Sequence, residues 1–271
     1  MNAIVIESVS KNFQQRPSFI PWKGHKRADD IPALADISLC VPSGTVQVLL
    51  GPNGSGKTTL LKLIATMLLP DSGTLLVEGF STARAERQVR TRVGFAVANE
   101  RSFFPRLTAR ENLDCFAALD EVPRRERNCR VSEILNTVGF SKQAEKLTMN
   151  FSSGMCQRLG IARALLKHPS ILLLDEPSRS LDPGSAMQLW NLIRELADQS
   201  TTVLVASHNF QETVAVADHV AIMGGGRVRR EYRAAQISSA ERLRKLYFDS
   251  VGSEDEDRSI FDIDVAGALA G

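Results

Sequence analysis

Gly51-Pro52-Asn53-Gly54-Ser55-Gly56-Lys57-Thr58 fits the pattern GxxxxGK[ST] and stands between the apolar run Val46 to Leu50 and a largely apolar stretch from Lys57 to Met67. The run before it has the length and continuous apolar character of a buried strand. The stretch after it reads as a helix, with Asp71-Ser72-Gly73 expected to supply the turn that ends it. Strand, glycine-rich turn and helix together form the context in which this pattern has a physical meaning. Glycines at 51, 54 and 56 allow a turn that aims successive N–H groups at phosphate oxygens, and the helix N-terminus adds partial positive charge. Gly51, Asn53, Gly54, Ser55, Gly56, Lys57, Thr58 and Thr59 are therefore the candidate phosphate cradle. Lys57 would reach the β and γ phosphates and the Thr58 hydroxyl would bind Mg²⁺, whereas a glycine turn that merely capped a helix would require neither residue.

Downstream, Ile171-Leu-Leu-Leu-Asp-Glu176 reads as a second buried strand that delivers two carboxylates at its C-terminal end, where nucleotides sit in open α/β sheets. Asp175 is expected to hold the Mg²⁺ and Glu176 to orient or deprotonate the attacking water. A third buried run, Thr202 to Ala206, is followed by His208, which would reach the γ-phosphate from the next loop. His25, His168 and His219 lack such company and are left unassigned. Between the last two strands a helix starts at Asp182-Pro183, with Asp182 as N-cap and Trp190, Ile193 and Ala197 at helical spacing. Strands alternating with helices imply a parallel sheet. Upstream, residues 3 to 9 alternate as a half-buried strand. The stretch from about 100 to 165 reads as mainly helical, with Thr108 and Glu111 as a capping box ahead of Leu113, Phe116 and Ala117 on one face.

Composition narrows the partners. Lysine and arginine number 33 against 31 aspartates and glutamates, a net charge of +2 that gives no reason to expect nucleic acid. Hydrophobic residues at 43% and charged ones at 24% are ordinary globular values. Cys40, Cys115, Cys129 and Cys156 form no CxxC pair and read as free thiols. Glu7 interrupts the apolar stretch that a secretory signal needs. The longest apolar stretch, Leu60 to Leu69, contains Lys62 and is about half of the roughly 20 residues a membrane span requires, so a membrane role would need a second polypeptide. Residues 14 to 30 read as a basic polar loop, with a lipid or RNA contact as the sharper alternative. Between Asp249 and Asp264 seven acidic residues accompany one basic residue, the composition of a solvated tail.

The order of these motifs resembles that of the ATP-binding subunits of ABC transporters, from about residue 3 to 230. Phe151-Ser-Ser-Gly-Met155, followed by Cys156-Gln157-Arg158 and Ile161-Ala-Arg-Ala-Leu165, looks like the family's signature, most commonly LSGGQ. Ser153 and Met155 depart from that form in a manner similar to drug and polysaccharide exporter subunits. Ser180-Leu181-Asp182 resembles the D-loop, and Phe13 stands where the family has an aromatic residue stacked on adenine. The usual glutamine is missing from Val93 to Phe104, so Asn99 or Glu100 must take its place near Mg²⁺, and Glu100 is the candidate.

The resemblance implies an α/β fold with a P-loop NTPase (RecA-like) core, an antiparallel N-terminal β-subdomain and an inserted helical subdomain over about 100–165. Residues 1–230 would form the ATPase domain and 231–271 a C-terminal extension with the acidic tail. It implies ATP and Mg²⁺ as cofactors, an ABC permease as a separate membrane partner, and a peripheral position on the cytoplasmic side of the inner membrane. It also implies a second ATP-binding subunit, forming a homodimer in which Ser152, Ser153, Gly154 and Asp182 serve the other copy's nucleotide. Phe103 to Leu113 is the expected permease contact. A soluble ABC ATPase acting on ribosomes or nucleic acid is the alternative, but such proteins carry two cassettes, coiled coils or zinc modules that this sequence lacks. A catalytically weak partner in a heterodimer is a third reading, opposed by the intact Glu176 and His208.

Overall fold

The computed structural model describes residues 1–13, 31–98, 102–179 and 181–251. In chain order, β1 (Asn2–Phe13), β2 (Ile31–Pro42) and β3 (Val46–Leu50) lead into α1 (Lys57–Ile64). Then follow β4 (Ser72–Val77), β5 (Phe80–Ser81), α2 (Glu86–Arg92) and β6 (Val93–Val97). Three helices come next, α3 (Ala109–Leu119), α4 (Arg124–Thr137) and α5 (Ser153–Leu165). The chain continues through β7 (Ile171–Asp175), α6 (Pro183–Asp198), β8 (Thr202–Ser207) and α7 (Phe210–Val216). It ends with β9 (His219–Gly224), β10 (Arg227–Arg233) and α8 (Ala240–Val251).

Two sheets result. The antiparallel one has the order β2-β1-β4-β5, and the other runs β10-β9-β3-β8-β7-β6, parallel except for the β10-β9 hairpin. In the parallel sheet, residues alternate between two apolar environments because successive side chains on a strand point to opposite faces. Val48, Leu172, Leu174, Val203 and Val205 pack towards α3, α4, α5 and α6. Leu49, Leu173, Leu204 and Ala206 pack towards α1 and the antiparallel sheet. The strand before the cradle and the strand bearing the two acids are separated by β8 alone, which brings their C-terminal ends to one edge of the sheet.

Several expectations need correction. α1 stops at Ile64, short of Met67, because Thr66 takes a left-handed backbone (φ +58°) and breaks the helical path. Ser72 and Gly73 open β4 instead of closing α1, and Asp71 is held by Lys11 Nζ at 2.6 Å and the Asn12 N–H at 2.7 Å. The expected contact surface from Phe103 to Leu113 does not extend to its far end: Leu113 is fully buried, while Phe104 is 47% exposed. Asn112 pins that exposed turn, accepting from the Phe104 N–H at 2.8 Å and donating to the Phe104 and Thr108 carbonyls at 3.1 and 2.9 Å. The capping box forms as expected, with the Glu111 N–H donating to Thr108 Oγ1 and the Thr108 N–H to Glu111 Oε2. β10 runs through residue 230, and α8 buries Leu243 and Tyr247 in the main core. Among the described residues no helix is long and apolar enough to cross a membrane.

Candidate active site

The cradle is shaped by close packing. Gly56 has φ +98°, and a Cβ there would meet the Ala33 carbonyl and a Leu34 methyl at 2.6 Å, so the start of β2 presses the loop into place. The Gly51 N–H donates to the Ser207 carbonyl at 3.2 Å, tying the loop to the end of β8. Ser55 Oγ is buried and has no hydrogen-bond partner among the described residues, a donor and acceptor that a bound phosphate would satisfy. Lys57 is only 5% exposed. Its ammonium donates to the Gly51 and Pro52 carbonyls at 2.7 and 2.9 Å and lies 3.6 Å from Glu176 Oε1. Burial pushes its pKa down against the pull of Glu176 and Asp175.

The two carboxylates take different positions. Thr58 Oγ1 donates to Asp175 Oδ1 at 3.0 Å, uniting the cradle with the end of β7. Burial is the main reason the Asp175 carboxyl is raised above its ordinary value. Glu176 turns out of the strand with φ +52°, held by its own N–H on the Ala206 carbonyl at 2.9 Å and by the Arg179 N–H on its carbonyl at 3.0 Å. Its Oε2 meets His208 Nδ1 at 2.6 Å, and that hydrogen bond is the leading cause of a raised histidine pKa.

A cavity of about 450 Å³ gathers Phe13, Asn53, Gly54, Gly56, Lys57, Thr58, Thr59, Asp175 and Glu176. Phe13, 41% exposed, lies on its wall and is not a core side chain. The structure thus brings the cradle, both acids, His208 and Phe13 together. Ser152, Ser153 and Gly154 do not line this cavity, nor does Asp182. Ser152 caps α5 by accepting from the Met155 N–H at 3.3 Å, and Asp182 caps α6 by accepting from the Ser185 N–H at 3.0 Å. Gly154 has an intramolecular reason to lack a side chain, since a Cβ would come within 2.8 Å of Ser185 Oγ on α6. Asn99 and Glu100 lie outside the described residues, as do the basic loop at 14–30 and most of the acidic tail.

Sequence reasoning passes over Arg179, Pro32 and Ala33, which also line the cavity. The first stands in a loop read only for its D-loop likeness, and the other two open a strand disguised by Pro32.

The family model described as ABC transporter matches residues 34–179, which take in the cradle, the signature segment and both acids. The chain belongs to the ABC transporter family. It is 36% identical over 245 residues to the ABC transporter ATP-binding protein NatA of Bacillus subtilis, covering 90% of this chain and 95% of that one. Against the daunorubicin resistance ATP-binding protein DrrA3 of Streptomyces coeruleorubidus it is 35% identical over 214 residues, 79% of this chain and 67% of that one. The chain therefore spans about two thirds of the length of that drug-resistance relative. The fold also matches an ATP-binding cassette solved as a dimer in a post-hydrolysis state with ADP and Pi. That match has a TM-score of 0.71 at 24% identity and covers 85% of this chain and 98% of that one. This ABC ATPase is accordingly an ATP-binding subunit of the transporter type.

Proposed function

We propose that this ABC ATPase drives export through a separate membrane permease, as a homodimer that closes around two nucleotides on the cytoplasmic side of the inner membrane. The observation that carries the reading is the divided site: the cavity gathers most of the cradle, Phe13 and both acids, while the signature serines Ser152 and Ser153 are exposed outside it. A signature that does not face its own cavity is free to complete a second copy's site, so that each nucleotide bridges two chains. The drug-resistance relative and a bacitracin transport ATP-binding protein of Bacillus licheniformis support the export direction. Residues 1–230 would supply most of the ATPase unit, its helical lobe over about 100–165, with 231–271 as an extension whose first part, the end of β10 and α8, packs back onto the same core.

Within this reading the desolvated ammonium of Lys57 binds the β and γ phosphates, and cradle N–H groups take the remaining oxygens. Phe13 stacks on the base. Thr58 Oγ1 and Asp175 Oδ1, two hard oxygen donors 3.0 Å apart, suit Mg²⁺, which when bound neutralises phosphate charge. Glu176 accepts a proton from the water as the water oxygen attacks the γ-phosphorus and ADP leaves. His208 holds the Glu176 carboxylate in place through the 2.6 Å contact.

The test is a pair of variants assayed for nucleotide affinity and steady-state turnover. Glu176→Gln should bind ATP and lose turnover, and Lys57→Ala should weaken nucleotide binding. Wild-type turnover in the first would remove Glu176 from the mechanism, and unchanged affinity in the second would remove Lys57 from the phosphate site.

A further inference from the structure

Glu212, in the first turn of α7, is completely buried, and no step above uses it. A carboxyl taken out of water needs hydrogen bonds in its place, and those around Glu212 come from separate segments. The Ser207 hydroxyl donates to Oε2 and the Trp190 indole donates to Oε1 at 3.2 Å. Ser207 ends β8 immediately before His208, and Trp190 lies on α6. On the other side of His208, the Asn209 N–H donates to Ser207 Oγ at 3.0 Å. Asn209 Oδ1 in turn accepts from the Gln211 and Glu212 N–H groups at 2.8 and 3.1 Å. Both neighbours of His208 are thus tied into one network around this carboxyl. Burial raises the carboxyl's pKa while the surrounding donors pull it back, a balance expected of a group anchored by hydrogen bonds.

We propose that Glu212 is a positioning residue for ATP hydrolysis, fixing the His208 segment so that His208 Nδ1 meets Glu176 Oε2 at 2.6 Å. The inference rests on the reading of Glu176 and His208 as the hydrolytic pair. It gives the His-x-x-x-Glu spacing of residues 208 to 212 a physical reason: the histidine follows the last strand residue, Ser207, and the glutamate in the first turn of the next helix reaches back to that serine. Displacement of a reacting group by about 1 Å can cost on the order of 100-fold in rate while binding contacts survive.

Steady-state kinetics of the full chain test the proposal. Glu212→Ala should lower kcat by about 10- to 100-fold with the KM for ATP moving less than about 3-fold. Glu212→Gln, which keeps an acceptor for Trp190 and a polar partner for Ser207, should restore most of that loss. In a His208→Ala background the alanine substitution at 212 should cost nothing further, because groups acting through one another are not additive. Should Glu212→Ala fail to fold, Trp190→Phe and Ser207→Ala each remove a single donor and should lower kcat at constant KM. Wild-type kcat in these variants, a loss confined to KM, or losses at 208 and 212 that multiply independently would overturn the proposal. Glu176→Gln assayed alongside separates the two claims: an inactive Glu176→Gln beside a fully active Glu212→Ala defeats only this inference.

Discussion

Glu176 takes a left-handed backbone at φ +52°, a conformation that costs a non-glycine residue of order 1–3 kcal/mol and persists only where the surroundings enforce it. The Ala206 carbonyl and the Arg179 N–H do so here, aiming the carboxylate at His208 and Lys57 instead of along the strand. Asp175 is raised and Lys57 lowered by burial, so each charge is costly where it stands, and in the proposed function the cation and the phosphate would supply their complements. His208 is raised by its bond to Glu176, which gives a signed expectation. The stabilisation from that pair is fully present below the ordinary histidine value of 6.5 and fades as pH rises through the higher folded value. Melting temperatures of the wild type and His208→Ala should therefore differ most between about pH 5 and 6 and converge only as the pH rises past 6.5 through the folded value; a constant difference would contradict the pairing. That Lys57, Thr58, Asp175 and Glu176 meet at one site was legible in sequence, because the glycine-rich turn and the acids each follow a buried strand. Arg179 was not, since nothing in Pro177-Ser178-Arg179 says which way an arginine in a turn will face.

At the level of elements, β3, β7 and β8 could be read directly, because strands buried on both faces are written as unbroken apolar runs. β2 escaped that reading: Pro32, Pro42 and the left-handed Asp36 (φ +56°) look like loop residues, and an edge strand tolerates them because its outer side needs no ladder partner. Yet β2 presses Ala33 against Gly56 and so shapes the cradle. In α3, helical spacing correctly placed Leu113, Phe116 and Ala117 on one buried face, which is also why Leu113 cannot belong to a contact surface. Leu113→Ala should destabilise the protein by about 2–5 kcal/mol in denaturant unfolding. Phe104→Ala, which removes a half-exposed ring stacked on Phe116, should cost only about 0.5–1.5 kcal/mol and instead impair coupling to the proposed permease. Comparable stability losses in the two variants would contradict this division of roles.

For the whole molecule, the sheet order fixes one working edge, where the cradle after β3, the acids at the end of β7 and His208 after β8 converge. The signature at the start of α5 lies outside the cavity these residues form. Periodicity and composition reveal the first half of this arrangement. The second half is invisible to them, because Ser152 reads equally well as a helix cap, the role it fills within the single chain. In the proposed homodimer a γ-phosphate contact on the far side of the nucleotide would come from the second copy's signature, and ATP would act as the ligand whose differential affinity favours the closed pair. Sedimentation velocity on Glu176→Gln, with and without ATP and Mg²⁺, tests this most directly, since the variant should hold ATP without consuming it. The expected result is a monomer alone and a dimer carrying one ATP per chain when nucleotide is present; a variant that binds ATP and remains monomeric would contradict the bridged dimer.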